Sequence, residues 1–224
     1  MKEKIAILID GGFYRRRAQA LWGEKTHKDR LDEMIRYCYN HVKDNKDKIP
    51  HDLYRIFYYD CPPMNKKVYH PLLNKTIDFS KSDLHIWMSS FLEALKGQRK
   101  VALRLGTLAD AQACYTLHPD TVKKLYNGKL KFDELEEEHF TLMVNQKGVD
   151  MKIGVDIASL AYKKQVGKII LISGDSDFVP AAKLARREGI DFVLDPMWVD
   201  IKPELFEHID GLRTFAPDPS KKTT

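Results

Sequence analysis

A chain of 224 residues, 43% hydrophobic and 31% charged, is long enough and apolar enough for one substantial core and does not have the make-up of a disordered chain. Its longest apolar run, around Ile169 to Ile172, falls far short of the roughly 18 residues of a membrane span, and the stretch after the basic start meets Asp10 too early for a signal peptide. A net charge of +5 permits nucleic-acid binding without demanding it. Three scattered cysteines, Cys38, Cys61 and Cys114, argue against a disulfide framework or a zinc site and match a reducing cytoplasm.

The first element is an apolar run over 4–9, stopped by Asp10-Gly11-Gly12, which reads as a central strand buried on both faces and ending in a tight turn. Further strands are predicted at 53–59, before Asp60-Cys61-Pro62-Pro63, and at 101–106. A helix over 150–165 follows from Ile153, Ile157, Leu160 and Ala161 on one face, then strands at 169–173 and 190–194 with a helix through Ala181, Leu184 and Ala185 between them. Gly189 ends that helix. Strands alternating with helices predict an α/β fold with a mostly parallel, doubly wound sheet of about five strands. We expect one domain over 1–216, with helical insertions around 24–49, 65–100 and 109–140, and a flexible tail at 217–224.

In such a sheet the functional crevice lies beyond the carboxyl ends of the strands, so the residues that follow each strand come first. Asp10 follows the first strand, Asp60 the second, and Asp175 and Asp177 follow the strand at 169–173. A crossover helix runs back against the strands, so its N-terminus, with Asp150, also lies at that crest. Asp156 sits about 9 Å further along the helix and about 240° round it, deeper and on the other flank. Asp156, Asp60 and Ser173, which stands ready to orient a carboxylate or a phosphate, therefore form a second tier.

The stretches Leu8-Ile9-Asp10-Gly11-Gly12, Gln146-Lys147-Gly148-Val149-Asp150, Val155-Asp156 and Ser173-Gly174-Asp175-Ser176-Asp177-Phe178-Val179-Pro180 resemble, in order and spacing, the NYN group of PIN-like nucleases. The resemblance covers the first strand and 146–194, not the middle of the chain. It implies a three-layer αβα sandwich and cleavage of phosphodiester bonds, usually in RNA, with Mg²⁺ or Mn²⁺ held by Asp10, Asp150, Asp175 and Asp177. Many members carry Asn shortly after the first Asp-Gly, where this chain has Phe13. A polar contact to substrate or water is then missing.

Independently of the family, a carboxylate cluster without nearby His or Cys selects a hard divalent cation over zinc. A single Asp after a strand can simply start a turn or cap a helix. Four acids at one crest repel one another unless a cation or raised pKa values compensate. We expect Asp10 and Asp175 to ligate directly and Asp150 and Asp177 to ligate or hold water. Arg15, Arg16, Lys147 and Lys152 are the candidate phosphate contacts, although a charge run is more often a solvated helix face. Tyr14 and Phe13 could stack on bases, although Phe13 fits core packing better.

The expected function is that of a metal-dependent endoribonuclease on single-stranded or structured RNA, with DNA left open, no membrane partner and a homodimer as one option. A catalytically weak RNA-binding or scaffold protein on the same fold is the alternative. A small-phosphoester hydrolase using a strand-terminal Asp nucleophile is third, because no second Asp follows two residues after Asp10.

Overall fold

The structure, a computed structural model, describes residues 2–44 and 48–221. In chain order its main elements are β1 (Glu3–Asp10), α1 (Gly11–Trp22), α2 (His27–Val42), β2 (His51–Asp60), β3 (Lys67–His70), β4 (Lys75–Asp78), α3 (Asp83–Lys96) and β5 (Val101–Leu105). There follow β6 (Thr107–Leu108), β7 (Cys114–Leu117), α4 (Pro119–Tyr126), β8 (Phe140–Met143), β9 (Gln146–Lys147) and α5 (Val149–Tyr162). The chain continues through β10 (Lys168–Ile172), α6 (Val179–Arg187), β11 (Asp191–Asp195), α7 (Pro203–Phe206) and β12 (Gly211–Leu212). Among the described residues no helix is long and apolar enough to cross a membrane.

The chain forms two compact units. The first, 1–60 with 90–106 and 148–224, holds a six-stranded sheet in the order β12-β11-β10-β1-β2-β5. Every neighbouring pair in it is parallel. Ile5, Ala6, Ile7, Leu8 and Ile9 of β1 are wholly buried, as an uninterrupted apolar run in the middle of a parallel sheet must be when both faces are covered. Side chains alternate along β2, and the alternation separates the layers. Tyr58 reaches Arg15 of α1, whereas the adjacent Tyr59 reaches Asp156 of α5. Tyr14 of α1 bonds Glu33 of α2, and α5 packs beside α6. The result is the three-layer αβα architecture expected, with one strand more. That strand, β12, is two residues long and has no apolar alternation to betray it.

The second unit, 61–89 with 107–147, differs from the helical insertions expected there. Beside α4, the first half of α3 and short 3-10 turns it contains three antiparallel pairs, β3 with β4, β7 with β8 and β6 with β9. The β3–β4 reversal ends at Asn74, whose positive φ of 47° suits the turn, and β3 alternates exposed and buried residues. His70 is buried with its ring centroid 4.2 Å from that of Tyr115 and 5.2 Å from that of Phe140. Strands of two to four residues are too short for a period-2 signal to stand out from Lys-rich surroundings. Of the three expected insertions, the first contains α2, the second contains α3 after the β3–β4 pair, and the third contains α4 with short 3-10 turns beside β7. Of the expected tail, 217–221 is described, with a turn in which Asp218 accepts from Ser220 N–H at 2.9 Å, and 222–224 lie outside the described residues.

Candidate functional site

Sheet order reverses at β1, with β2 on one side and β10 on the other, so the switch point of the doubly wound sheet lies between β1 and β10. Ile9 is in register with Ile172, which brings the turns after these strands side by side. The β1 turn has no spare residue. Asp10 ends the strand and caps α1, its Oδ1 accepting from Phe13 N–H at 3.0 Å. After β10 the buried Ser173 accepts from Asp175 N–H at 3.3 Å, and Asp175 Oδ1 accepts from Asp177 N–H at 3.0 Å. Both turns are thus fixed by their own carboxylates.

Phe13 joins them. A Cβ added to Gly174 would lie 2.9 Å from the Phe13 ring, so that ring occupies the space a side chain would need. Phe13 is only 9% exposed, in accord with its expected place in the core.

Electrostatics connects the four first-rank acids. Burial pushes the Asp10 carboxyl above its ordinary range; the Phe13 N–H, Arg16 and Arg15 pull it back, and Asp175 pushes it up again. Burial likewise raises Asp150, and repulsion from Asp10, Asp175 and Asp177 raises it further. Asp150 stands in the first turn of α5, where the helix dipole favours a negative charge. Asp150, Asp175 and Asp177 are exposed.

The cluster is open. Among the described residues no three His, Cys, Asp or Glu side chains stand close enough to enclose a metal ion. Mg²⁺ keeps several waters and takes one or two carboxylates plus substrate phosphate, so a site for it needs no closed shell of protein ligands. The donor set is all carboxylate, and repulsion from neighbouring acids adds to the raised pKa values of Asp10 and Asp150. Both properties fit a hard cation.

The second-tier acids are engaged elsewhere. Asp60 is 1% exposed, paired with Arg15, and accepts the Tyr58 hydroxyl at 3.2 Å. Arg15, a candidate phosphate contact, is thereby turned toward Asp60 and Tyr58. Asp156 accepts the Tyr59 hydroxyl at 2.8 Å and Arg104 Nε at 3.2 Å, and it lines a cleft on the α5 flank with Phe57 and Arg55. Arg16 is exposed and close enough to influence Asp10, Lys152 is exposed on α5, and Lys147 is exposed in β9 of the second unit. Arg17 donates from Nε and Nη2 to Met197 O at 3.1 and 2.8 Å.

Sequence reasoning missed Asp195, the last residue of β11. It is completely buried and receives the Tyr37 hydroxyl at 2.5 Å, the Thr214 hydroxyl at 2.8 Å and Met197 N–H at 2.9 Å, with His41 Nε2 at 2.8 Å. The rule that drew attention to Asp10, inspection of each strand's last residue, would have found it. Its surroundings tie α2 to the segment after β11.

The first unit is a parallel, doubly wound αβα sandwich, an arrangement consistent with a PIN-like fold. Residues 88–197 match the family model of the NYN domain, a PIN-like nuclease family, and this supports a nuclease-like function. The matched segment contains Asp150, Asp156, Ser173, Asp175 and Asp177; Asp10 lies before it. A crystal structure of a protein of unknown function from Vibrio parahaemolyticus has the same fold, with a TM-score of 0.50 and 14% identity over 96% of this chain and 94% of that one. Among curated proteins no match was found.

Proposed function

We propose that the protein is a divalent-metal-dependent nuclease, and specifically an endoribonuclease of single-stranded or structured RNA acting in the cytoplasm. The observation that carries this reading is geometric: the register of Ile9 with Ile172 sets the turns bearing Asp10 and Asp175 side by side, and Asp10, Asp175 and Asp177 all lie near enough to Asp150 to raise its pKa. Asp10 and Asp175 would hold Mg²⁺ or Mn²⁺ directly, with Asp150 and Asp177 holding it through water. When bound, the ion supplies Lewis acidity toward the phosphoryl group and eases ionisation of the attacking water. The chain's own contribution is orientation. Main-chain N–H groups fix one oxygen of Asp10 and one of Asp175, and the Phe13–Gly174 contact keeps the two turns in register.

Labelled RNA and DNA incubated with Mg²⁺, Mn²⁺ or EDTA, beside Asp175→Asn, test the proposal. Asn caps a turn as well as Asp does, so the variant should fold. Cleavage is expected to vanish in EDTA and to fall roughly a hundred-fold or more in the variant. Undiminished cleavage by Asp175→Asn would overturn the site assignment. Phe13 favours one other reading, since an apolar ring packs on Gly174 at the place where the NYN resemblance leads one to expect Asn. A catalytically weak RNA-binding protein would bind RNA tightly and cut with neither metal.

A further inference from the structure

Beside the acids, α5 and α6 leave a hollow of about 430 Å³ between them. Asp150, Met151 and Gly154 form one wall, Ala181 and Leu184 the other, and Asp177 stands with Asp150 at the mouth. The spacing explains the alignment. Asp150 and Gly154 are one helical turn apart on α5, Ala181 and Leu184 are i, i+3 on α6, and Asp177 stands in the turn just before α6.

Gly154 is the informative residue. A glycine inside a helix is less stable there than alanine. Where the fold requires one, a crowded neighbour or a positive φ generally accounts for it. Gly154 has neither: its φ is not positive, and an added Cβ would meet nothing within 4 Å. Its missing side chain keeps the hollow open, while Met151 stands 75% exposed at the edge and offers an adaptable apolar surface.

We propose that this hollow is a nucleobase subsite, holding the base of the nucleotide whose phosphate lies at the carboxylates, an inference that rests on the nuclease reading. The chemistry selects the occupant. The acidic mouth repels a bare anion, and the apolar walls offer nothing to a charged side chain. A nucleobase is neutral with an apolar face, and it comes covalently attached to a phosphate that the same acids recruit through a cation.

The test compares a labelled oligoribonucleotide with an abasic strand of equal length, by fluorescence anisotropy in Ca²⁺, an oxygen-ligated cation. Gly154→Leu and Ala181→Leu each fill the hollow from one wall. Both should bind the base-bearing strand about ten-fold more weakly, with abasic binding unchanged. Gly154→Ala, which narrows the hollow by one methyl group, should weaken binding of the base-bearing strand less than Gly154→Leu does and should melt higher. The idea fails if both leucine variants bind as wild type, if base-bearing and abasic strands weaken equally, or if sedimentation shows that filling the hollow instead disrupts self-association. Cleavage by wild type with an unaltered KM in both leucine variants removes the subsite and keeps the nuclease. Base-dependent binding lost in both, with no wild-type cleavage in Mg²⁺ or Mn²⁺, removes the nuclease and keeps the subsite.

Discussion

Substituting the two neighbouring glycines of α1 by alanine should move stability in opposite directions. Gly11 does not have a positive φ, so conformational freedom does not account for it. Space does: an added Cβ would lie 2.6 Å from Asp60 Oδ2 and from Cζ and Oη of Tyr58. Those atoms belong to the buried Arg15–Asp60–Tyr58 group and have little room to retreat. Overpacking costs about 1–3 kcal/mol and disturbing a buried ion pair about 3–5, against a helix-propensity gain of about 1. The net loss is then at least about 3 kcal/mol, which alone corresponds to roughly 6–12 °C in Tm for a chain of this size. At Gly12 the nearest atom to an added Cβ is Asp10 Oδ1 at 3.5 Å, an ordinary contact, so alanine should gain about 0.5–1 kcal/mol and melt a few degrees higher. Calorimetric melts of both variants beside wild type provide the measurement. Equal stability of Gly11→Ala and Gly12→Ala would refute the argument that packing beneath the first acidic turn dictates the glycine.

Two further outcomes concern charge. Asp195→Asn puts an amide NH₂ toward donors that now share a carboxylate, and it should cost roughly 3 kcal/mol, read as a lower urea midpoint with unchanged m-value; a change below 1 kcal/mol would contradict it. Asp10 has a raised folded-state pKa, so the folded protein retains a proton that the unfolded chain releases, and stability falls as pH rises from the ordinary value of 3.8 through the raised one. Asp10→Asn, which keeps the cap, should therefore melt above wild type at pH 7 in EDTA, with the gap closing below about pH 4; a gap that widens on acidification would show the opposite shift.

The five longer strands of the sheet were legible because each is a sustained apolar or β-rich run, and α5 and α6 because their apolar residues repeat at helical spacing. The crest followed from topology alone. What the sequence hid was the difference between acids with the same placement. Asp10, Asp60 and Asp195 all end strands, yet Asp60 and Asp195 are consumed by Arg15 and Tyr58, and by Tyr37, His41 and Thr214. Those partners come from other elements, in the case of Tyr37 158 residues away, so no local pattern announces them. The hollow beside the acids was equally invisible, because Gly154 looks in sequence like a weak point in a helix. The second unit was misread for a different reason: its pairs are too short for periodicity to distinguish strand from helix.

The position of β1 sets a timetable for biosynthesis. One edge of this strand can pair with β2 once about the first quarter of the chain exists, but the other pairs with β10, at residues 168–172. At ribosomal speeds of about 5–20 residues per second, that edge waits on the order of ten seconds. Throughout this interval Ile5 to Ile9, apolar on both sides, has an unpaired edge, a state in which a nascent chain calls on chaperones. Asp175 and Asp177 are made later still, so a ribosome-bound fragment stopping before them carries Asp10 without its companions. The acidic centre comes together only after the core sheet has most of its strands.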